Sequence, residues 1–155
     1  MAIRVADYTS LPRDVIELLE AAKGVAPRSY NRYSRYLVGA AVQTVTGERF
    51  VGCFYENVSY GLTICAEPAA ILAANTAGHR QLTAIAIVGG PSGDDSQTDV
   101  CTPCGRCRQI LLEAATLSGR AIDVYCSDLK LSAVLVATSE ELLPFGFGLG
   151  PASAN

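Results

Sequence analysis

Three cysteines in two short stretches of the chain could together hold a metal ion. Cys104 and Cys107 lie three residues apart, where Pro103 leads into a predicted helix, so both side chains project to one side. Cys65 stands near the start of a second predicted helix. The positive ends of two helix dipoles favour thiolates at these positions, and thiolates at this spacing suit zinc. The sequence therefore predicts Cys65, Cys104 and Cys107 as zinc ligands.

An acidic residue follows the first of these cysteines closely enough to take part in proton transfer. Glu67 lies two residues after Cys65, at the same predicted helix start. A carboxylate there can reach the neighbourhood of the metal without being a ligand, and can move a proton between a metal-bound water and a substrate. The chain has one histidine, His79, after a predicted helix end, and we interpret it as a surface residue. Glu67 is therefore the predicted catalytic residue.

The remaining cysteines leave a second interpretation of the site open. Cys101 continues the three-residue spacing, so that it could complete a closed, four-cysteine structural zinc site. Thr102 precedes a proline and is biased toward an extended conformation, which turns Cys101 away from the helical face. The run also resembles part of a ferredoxin signature, but position 111 is Leu. Cys53 and Cys126 are interpreted as buried strand cysteines without a function.

The composition argues against binding to a nucleic acid polymer or a membrane. The net charge of the 155 residues is -3, whereas a general nucleic-acid binder needs a basic stripe. We interpret the local group of Arg28, Arg32 and Arg35 as a solvated loop. No run of about 18 apolar residues and no apolar export segment occurs, so we expect a cytoplasmic protein. The hydrophobic fraction of 50% is high enough to favour contacts with partner subunits.

Hydrophobic periodicity predicts alternating helices and strands. The order α-β-β-α-β-α-β-β-α indicates an α/β fold, with a mixed five-stranded sheet flanked by helices in a single domain, residues 1–155, ending in a flexible tail at about 149–155. The middle of the second helix, residues 69–74, is apolar on every side, which predicts that it is buried. The predicted helices cover residues 11–24, 64–77, 104–117 and 139–143, and the predicted strands cover residues 38–46, 49–54, 82–88, 122–126 and 133–137.

Several motifs in one order resemble the cytidine deaminase family. Cys65-Ala66-Glu67, followed by Pro103-Cys104-Gly105-Arg106-Cys107, is similar to the zinc deaminase signature in the variant with three cysteine ligands. Together the motifs cover most of residues 30–148, and they are similar to the small, homotetrameric branch that acts on free nucleosides. The other matching segments are residues 33–41, 56–67, 107–111 and 141–148.

The resemblance implies a three-layer α-β-α fold, a Zn²⁺ cofactor and a reaction. That reaction is hydrolytic deamination of a cytosine-type nucleoside, with zinc-bound hydroxide as nucleophile and Glu67 as proton shuttle. The resemblance also implies a homotetramer with sites shared between subunits and a small-molecule substrate. In the implied substrate-binding set, Glu56 binds the sugar, an aromatic residue at Tyr36 lines the base pocket, Ala66 belongs to the central motif, and Phe147 reaches a neighbouring subunit's site.

Two positions depart from the family pattern. Phe54 stands where the family has an Asn that hydrogen-bonds the ribose, and an apolar ring cannot replace those bonds. Pro68 stands where the family has an Arg that offsets the charge of the thiolates, and Arg106, Arg108 and the helix dipoles are the candidates to replace that charge. The first departure favours a modified nucleoside, a blasticidin-type antibiotic or a free amino-heterocycle as alternative substrates. An inactive, zinc-stabilised oligomeric binding protein is a further alternative, disfavoured because Glu67 is retained.

Overall fold

The chain forms one mixed sheet with helices on both faces, as seen in a computed structural model that describes residues 3–94 and 96–148. The expected flexible tail at 149–155 lies outside the described residues. The helices are α1 (Arg13–Val25), α2 (Ala66–Thr76), α3 (Gly105–Ser118) and α4 (Ser139–Leu142). The strands are β1 (Arg4–Ala6), β2 (Tyr36–Thr44), β3 (Arg49–Cys53), β4 (Leu82–Pro91), β5 (Asp123–Asp128) and β6 (Val134–Thr138).

The sheet has the strand order β1-β6-β5-β4-β2-β3. Neighbouring strands are antiparallel except for β4 and β5, which run parallel with Ile87 opposite Cys126. β4 is an almost continuous apolar run, as expected for a central strand covered on both faces. The connection between the parallel strands contains α3, whose start is thereby brought to the carboxyl end of β4.

Two hydrophobic cores lie on opposite faces of the sheet. Ile85 and Ile87 point into the core beneath α2 and α3, and the alternate residues Ala84, Ala86 and Val88 point into the core beneath α1. This arrangement is the expected three-layer α-β-α fold. The described helices include none that is both long enough and apolar enough to cross a membrane.

α2, which carries Cys65 at its start, packs unusually close to the sheet. Ala66, Ala70 and Ala74 form a fully buried stripe at four-residue spacing. At the facing strand position, a Cβ on Gly52 would lie 2.3 Å from the backbone nitrogen of Ala70. Small residues on the helix and glycine on the strand therefore fix the depth at which the helix start meets the sheet.

The structure differs from the sequence-based expectations in three respects. The sheet has six strands rather than five, because the three-residue edge strand β1 pairs with β6 and is too short to show an alternating pattern. The apolar α2 is not buried all round, since 63% of Leu72 is exposed in the single chain. Cys126 is fully buried as expected, but Cys53 is only half-buried, with its thiol near the carbonyl oxygen of Arg28.

Candidate metal centre and active site

The starts of α2 and α3 meet and bring three cysteine sulfurs together. Cys65 and Cys104 are the N-cap residues of the two helices, both with extended backbones, and Cys107 lies in the first turn of α3. The three Sγ atoms lie within 4.8 Å of one another, and those of Cys65 and Cys104 are 4.0 Å apart. A tetrahedral zinc ion with Zn–S bonds of about 2.3 Å places its sulfurs about 3.8 Å apart. The donor set and its spacing therefore fit zinc.

The fourth nearby cysteine does not belong to this group. Cys101 packs against the end of β4, where a Cβ on Gly89 would lie 2.8 Å from its Sγ, and it is adjacent to the Tyr36 hydroxyl. Burial raises the pKa of the Cys101 thiol to about 12, and its sulfur lies outside the group of three that could share a metal ion. Over residues 3–94 and 96–148, the candidate metal-binding group contains three cysteines, so the geometry favours an open site over a closed four-cysteine site.

The electrostatics of the cluster differ from one sulfur to the next. The hydrogen bond from the Cys107 thiol, helped by the charge of Arg106, outweighs burial and lowers the pKa of Cys65 to about 7. The pKa of Cys107, which donates that hydrogen bond, is raised. Neither N-cap side chain bonds its own helix, so the sulfurs of Cys65 and Cys104 lie at the positive ends of the two helices without a capping bond. Cys65 is therefore prepared to bind as a thiolate.

Glu67 lies in the first turn of α2 with only 4% of its surface exposed. Burial raises the pKa of its carboxyl group, and a hydrogen bond from its own backbone N–H, with a smaller effect of its contact with the Cys107 side chain, offsets part of that rise. The contact with Cys107 places the carboxylate beside the sulfur cluster. His79 lies beyond the opposite end of α2, stacked near Phe50, so it is not part of this site.

Two arginines at the start of α3 have different partners. Arg106 donates from Nη1 to the carbonyl oxygen of Thr63 at 3.3 Å, on the segment that leads to Cys65. Arg108 donates to the carbonyl oxygens of Pro103 at 2.9 Å and Leu142 at 3.4 Å. Arg106 thus supplies a positive charge near the cluster, while Arg108 ties backbone segments together.

A second buried carboxylate borders an open cleft beside this region. Glu56 is 6% exposed, and its oxygens accept hydrogen bonds from the backbone N–H groups of Tyr33 at 2.7 Å and Ser34 at 3.1 Å. Burial alone would raise the pKa of Glu56, but the bonds from Ser34 and Tyr33 outweigh it and lower the pKa. The cleft has a volume of about 430 Å³ and is lined by Tyr33, Ser34, Glu56, Tyr60 and Thr63.

Comparison with known families shows to which family the chain belongs. The model of the cytidine and deoxycytidylate deaminase zinc-binding region matches residues 12–119, which include the three clustered cysteines and Glu67. The chain belongs to this deaminase family. Enzymes of this family are zinc-dependent hydrolases, and the cofactor of the chain is zinc, for which Cys65, Cys104 and Cys107 are suitably placed.

Individual relatives agree with this assignment. A cytidine deaminase from Mycobacterium tuberculosis is 47% identical over 92 residues, which span 59% of this chain but only 65% of that enzyme's length. A blasticidin-S deaminase from Bacillus cereus is 32% identical over 135 residues, covering 85% of this chain and 91% of that protein. The crystal structure of a cytidine deaminase from Burkholderia pseudomallei has a TM-score of 0.73 at 37% identity, covering 88% of this chain and all of that one.

Of the sequence-predicted substrate residues, Glu56 lines the cleft, and the other four described positions are not part of its lining. Ala66 is fully buried beside Glu67, and Tyr36 and Phe54 are half-buried on adjoining strand ends. Phe54 is fixed by backbone bonds to Val38 and Tyr30. The Phe147 ring is 77% exposed in the single chain.

Two features of the deaminase site could not be identified from sequence spacing. The donors to Glu56 are backbone groups of Tyr33 and Ser34, and backbone groups carry no residue-type signal. Gln109 makes two hydrogen bonds with the backbone of Phe147, at a separation of 38 residues. Gln109 belongs to the segment 107–111 that matched the family, which was the one available signal.

Proposed function

We propose that the protein hydrolytically deaminates a cytosine-type nucleoside or a close analogue. The exocyclic amine leaves as ammonia, and an oxygen atom from water takes its place on the ring. The observation that carries this proposal is the three-sulfur group with the buried carboxyl group of Glu67 directly beside it. A structural zinc site needs no proton carrier, whereas deamination requires one.

In this proposal the three cysteines hold zinc and Glu67 moves protons. Zinc, when bound, supplies a Lewis acid that lowers the pKa of water at the open position. Glu67 takes one proton from the attacking water and gives it to the ring nitrogen, and then takes the second proton from the new hydroxyl group on the ring carbon and gives it to the amine, which leaves as ammonia. Its burial supports this role, because a raised pKa brings a carboxyl group closer to the pH at which it can both accept and release a proton.

Substrate binding is assigned to the residues around the cleft. Glu56 binds the sugar, since its two oxygens can accept more bonds than the backbone of residues 33 and 34 provides. Tyr36 and Ala66 border the base, and Phe54 presents an apolar edge near the sugar position. The enzyme is proposed to be a single-domain, cytoplasmic protein that acts on a small molecule rather than on a nucleic acid polymer.

We further assign a homotetramer, in which Phe147 completes the site of a neighbouring subunit. Exposed apolar side chains support this assembly, because isolated chains rarely leave so many uncovered. An apolar groove of about 350 Å³ runs between α2 and α3, lined among others by Pro68, Ile71 and Leu117. Light scattering on the purified protein should give four times the chain mass.

A second candidate substrate is a blasticidin-type nucleoside. The observation that favours it is Phe54, which offers no hydrogen bond to a ribose hydroxyl, together with the 32% identity to a blasticidin-S deaminase over 91% of its length. Efficient turnover of unmodified cytidine would argue against this candidate.

The proposal is tested by measuring ammonia release from cytidine, deoxycytidine, cytosine, blasticidin S, and aminated purines and pterins. The same protein is then stripped with a chelator and reloaded with zinc. We expect turnover of at least one cytosine-type compound, loss of turnover on stripping, and recovery on reloading. Zinc-loaded protein that releases ammonia from none of these compounds would instead support a zinc-stabilised binding protein.

A further inference from the structure

The segment after α4 exposes aromatic rings although its backbone is held in place. α4 ends at Leu142, and in the following residues the Phe145 ring is fully exposed and the Phe147 ring is 77% exposed. Large apolar rings in water are unfavourable unless they have another surface to bind. Contacts with α3 hold the backbone that carries the Phe147 ring.

Gln109 on α3 holds the backbone of Phe147 with both ends of its carboxamide. Its Nε2 donates to the Phe147 carbonyl oxygen at 2.8 Å, and the Phe147 N–H donates to its Oε1 at 3.2 Å. A side-chain amide provides one donor and one acceptor side by side, so it can pair with a backbone N–H and C=O of one residue. A carboxylate of the same length lacks the donor, and a methionine lacks both.

A second contact brings the same segment close to the same helix. A Cβ on Gly146 would lie 2.4 Å from Cδ2 of Leu112 and 2.8 Å from Cδ2 of Leu143, so the backbone at Gly146 packs directly against the Leu112 side chain of α3. Gln109 and Leu112 are three residues apart and share one face of the helix. The Phe147 backbone is therefore attached to the helix that begins with Cys104 and Cys107.

We propose that Gln109 is a positioning residue, which fixes Phe147 so that its ring projects into the substrate site of a neighbouring copy of the chain. This inference rests on the proposed function. Gln109 acts through Phe147 and does not touch the sulfur cluster or Glu67 in the described structure. Its loss should therefore weaken substrate binding and leave proton transfer intact.

The test compares Gln109→Met, Phe147→Ala and the double variant with the unaltered enzyme. Loss of two hydrogen bonds should raise KM about tenfold, with kcat and zinc content changed less than twofold. The double variant should have the KM of Phe147→Ala alone, because Gln109 acts only through the ring. Glu113→Gln, at an exposed position on the same helix, serves as the matched control and should behave as the unaltered enzyme.

An independent readout uses the absence of tryptophan from the chain. Phe147→Trp provides a single tryptophan, which can be excited separately from the seven tyrosines, and its anisotropy should fall when Gln109→Met is added. Unchanged KM in Gln109→Met, or effects of the two single variants that multiply in the double variant, would overturn the inference. If Gln109→Met does not fold, Gln109→Glu replaces it, and an unchanged KM there has the same meaning. Failure of the proposed function is distinct, because the unaltered enzyme would then release no ammonia while the anisotropy still reports the attachment.

Discussion

Two buried glutamates show how the same side chain is given opposite properties in neighbouring regions. Glu56 and Glu67 are 6% and 4% exposed, yet the pKa of Glu67 is raised and that of Glu56 is lowered. At Glu67, burial outweighs the hydrogen bonds from its own backbone and from Cys107. At Glu56, bonds from Ser34 and Tyr33 outweigh burial.

The difference shows that the balance between burial and the hydrogen-bond donors around each carboxylate sets the direction of its pKa shift. A carboxyl group with a raised pKa can exchange a proton near neutral pH, whereas one with a lowered pKa serves as a fixed negative anchor. Removing each charge separately should therefore produce different defects.

The largest effect is expected for Glu67→Gln. The amide keeps the size of the side chain but cannot carry a proton between water and the amine, so kcat should fall by about 100- to 10,000-fold. Zinc content and the melting temperature should stay close to those of the unaltered enzyme. Ammonia-release kinetics and metal analysis test this expectation. A Glu67→Gln enzyme with an unchanged kcat would show that Glu67 is not the proton carrier.

Glu56→Gln should affect binding rather than turnover. The amide oxygen can still accept from Tyr33, but the amide NH₂ group would then face the Ser34 N–H, donor against donor. Because the negative charge is also lost, we expect KM to rise about tenfold or more, with a lower melting temperature. A fall in kcat without a change in KM would contradict the assignment of substrate binding to Glu56 and proton transfer to Glu67.

The metal centre could be predicted from the sequence because its chemistry depends on local spacing. Cys104 and Cys107 share one helix turn, and Cys65 precedes a second helix, so residue type and periodicity were enough. The contacts of Glu56 and Gln109 join segments that are distant along the chain, and local patterns do not report such contacts. The sixth strand was missed for a related reason, since Arg4–Ala6 becomes a strand only by pairing with β6.

The pH dependence of stability should separate the two enzymes that differ at Glu56. A carboxyl group whose pKa is depressed in the folded state stabilises the fold above its ordinary pKa, near 4.5, and this contribution is lost as the pH falls below that value. The unaltered enzyme should therefore be more stable than Glu56→Gln at pH 7, and the difference should shrink by pH 4. Urea midpoints at pH 7, 5.5 and 4 measure it, and a difference that grows on acidification would contradict the lowered pKa.

The smallest effect is expected at the two arginines that follow Cys104. Arg106 is exposed, and its charge near Cys65 is screened by solvent, so Arg106→Ala should weaken zinc retention only a few-fold in a chelator competition. Raising the salt concentration should reduce that difference, because screening already weakens the interaction that the variant removes.

Arg108→Ala should instead lower the melting temperature with little change in zinc retention, since it removes bonds to the carbonyl oxygens of Pro103 and Leu142. The pair is thus a matched test at one helix start: one arginine acts through charge and the other through backbone contacts. If both variants lose zinc equally, Arg106 has no specific role in offsetting the negative charge of the thiolates. The positive ends of the two helices must then offset that charge.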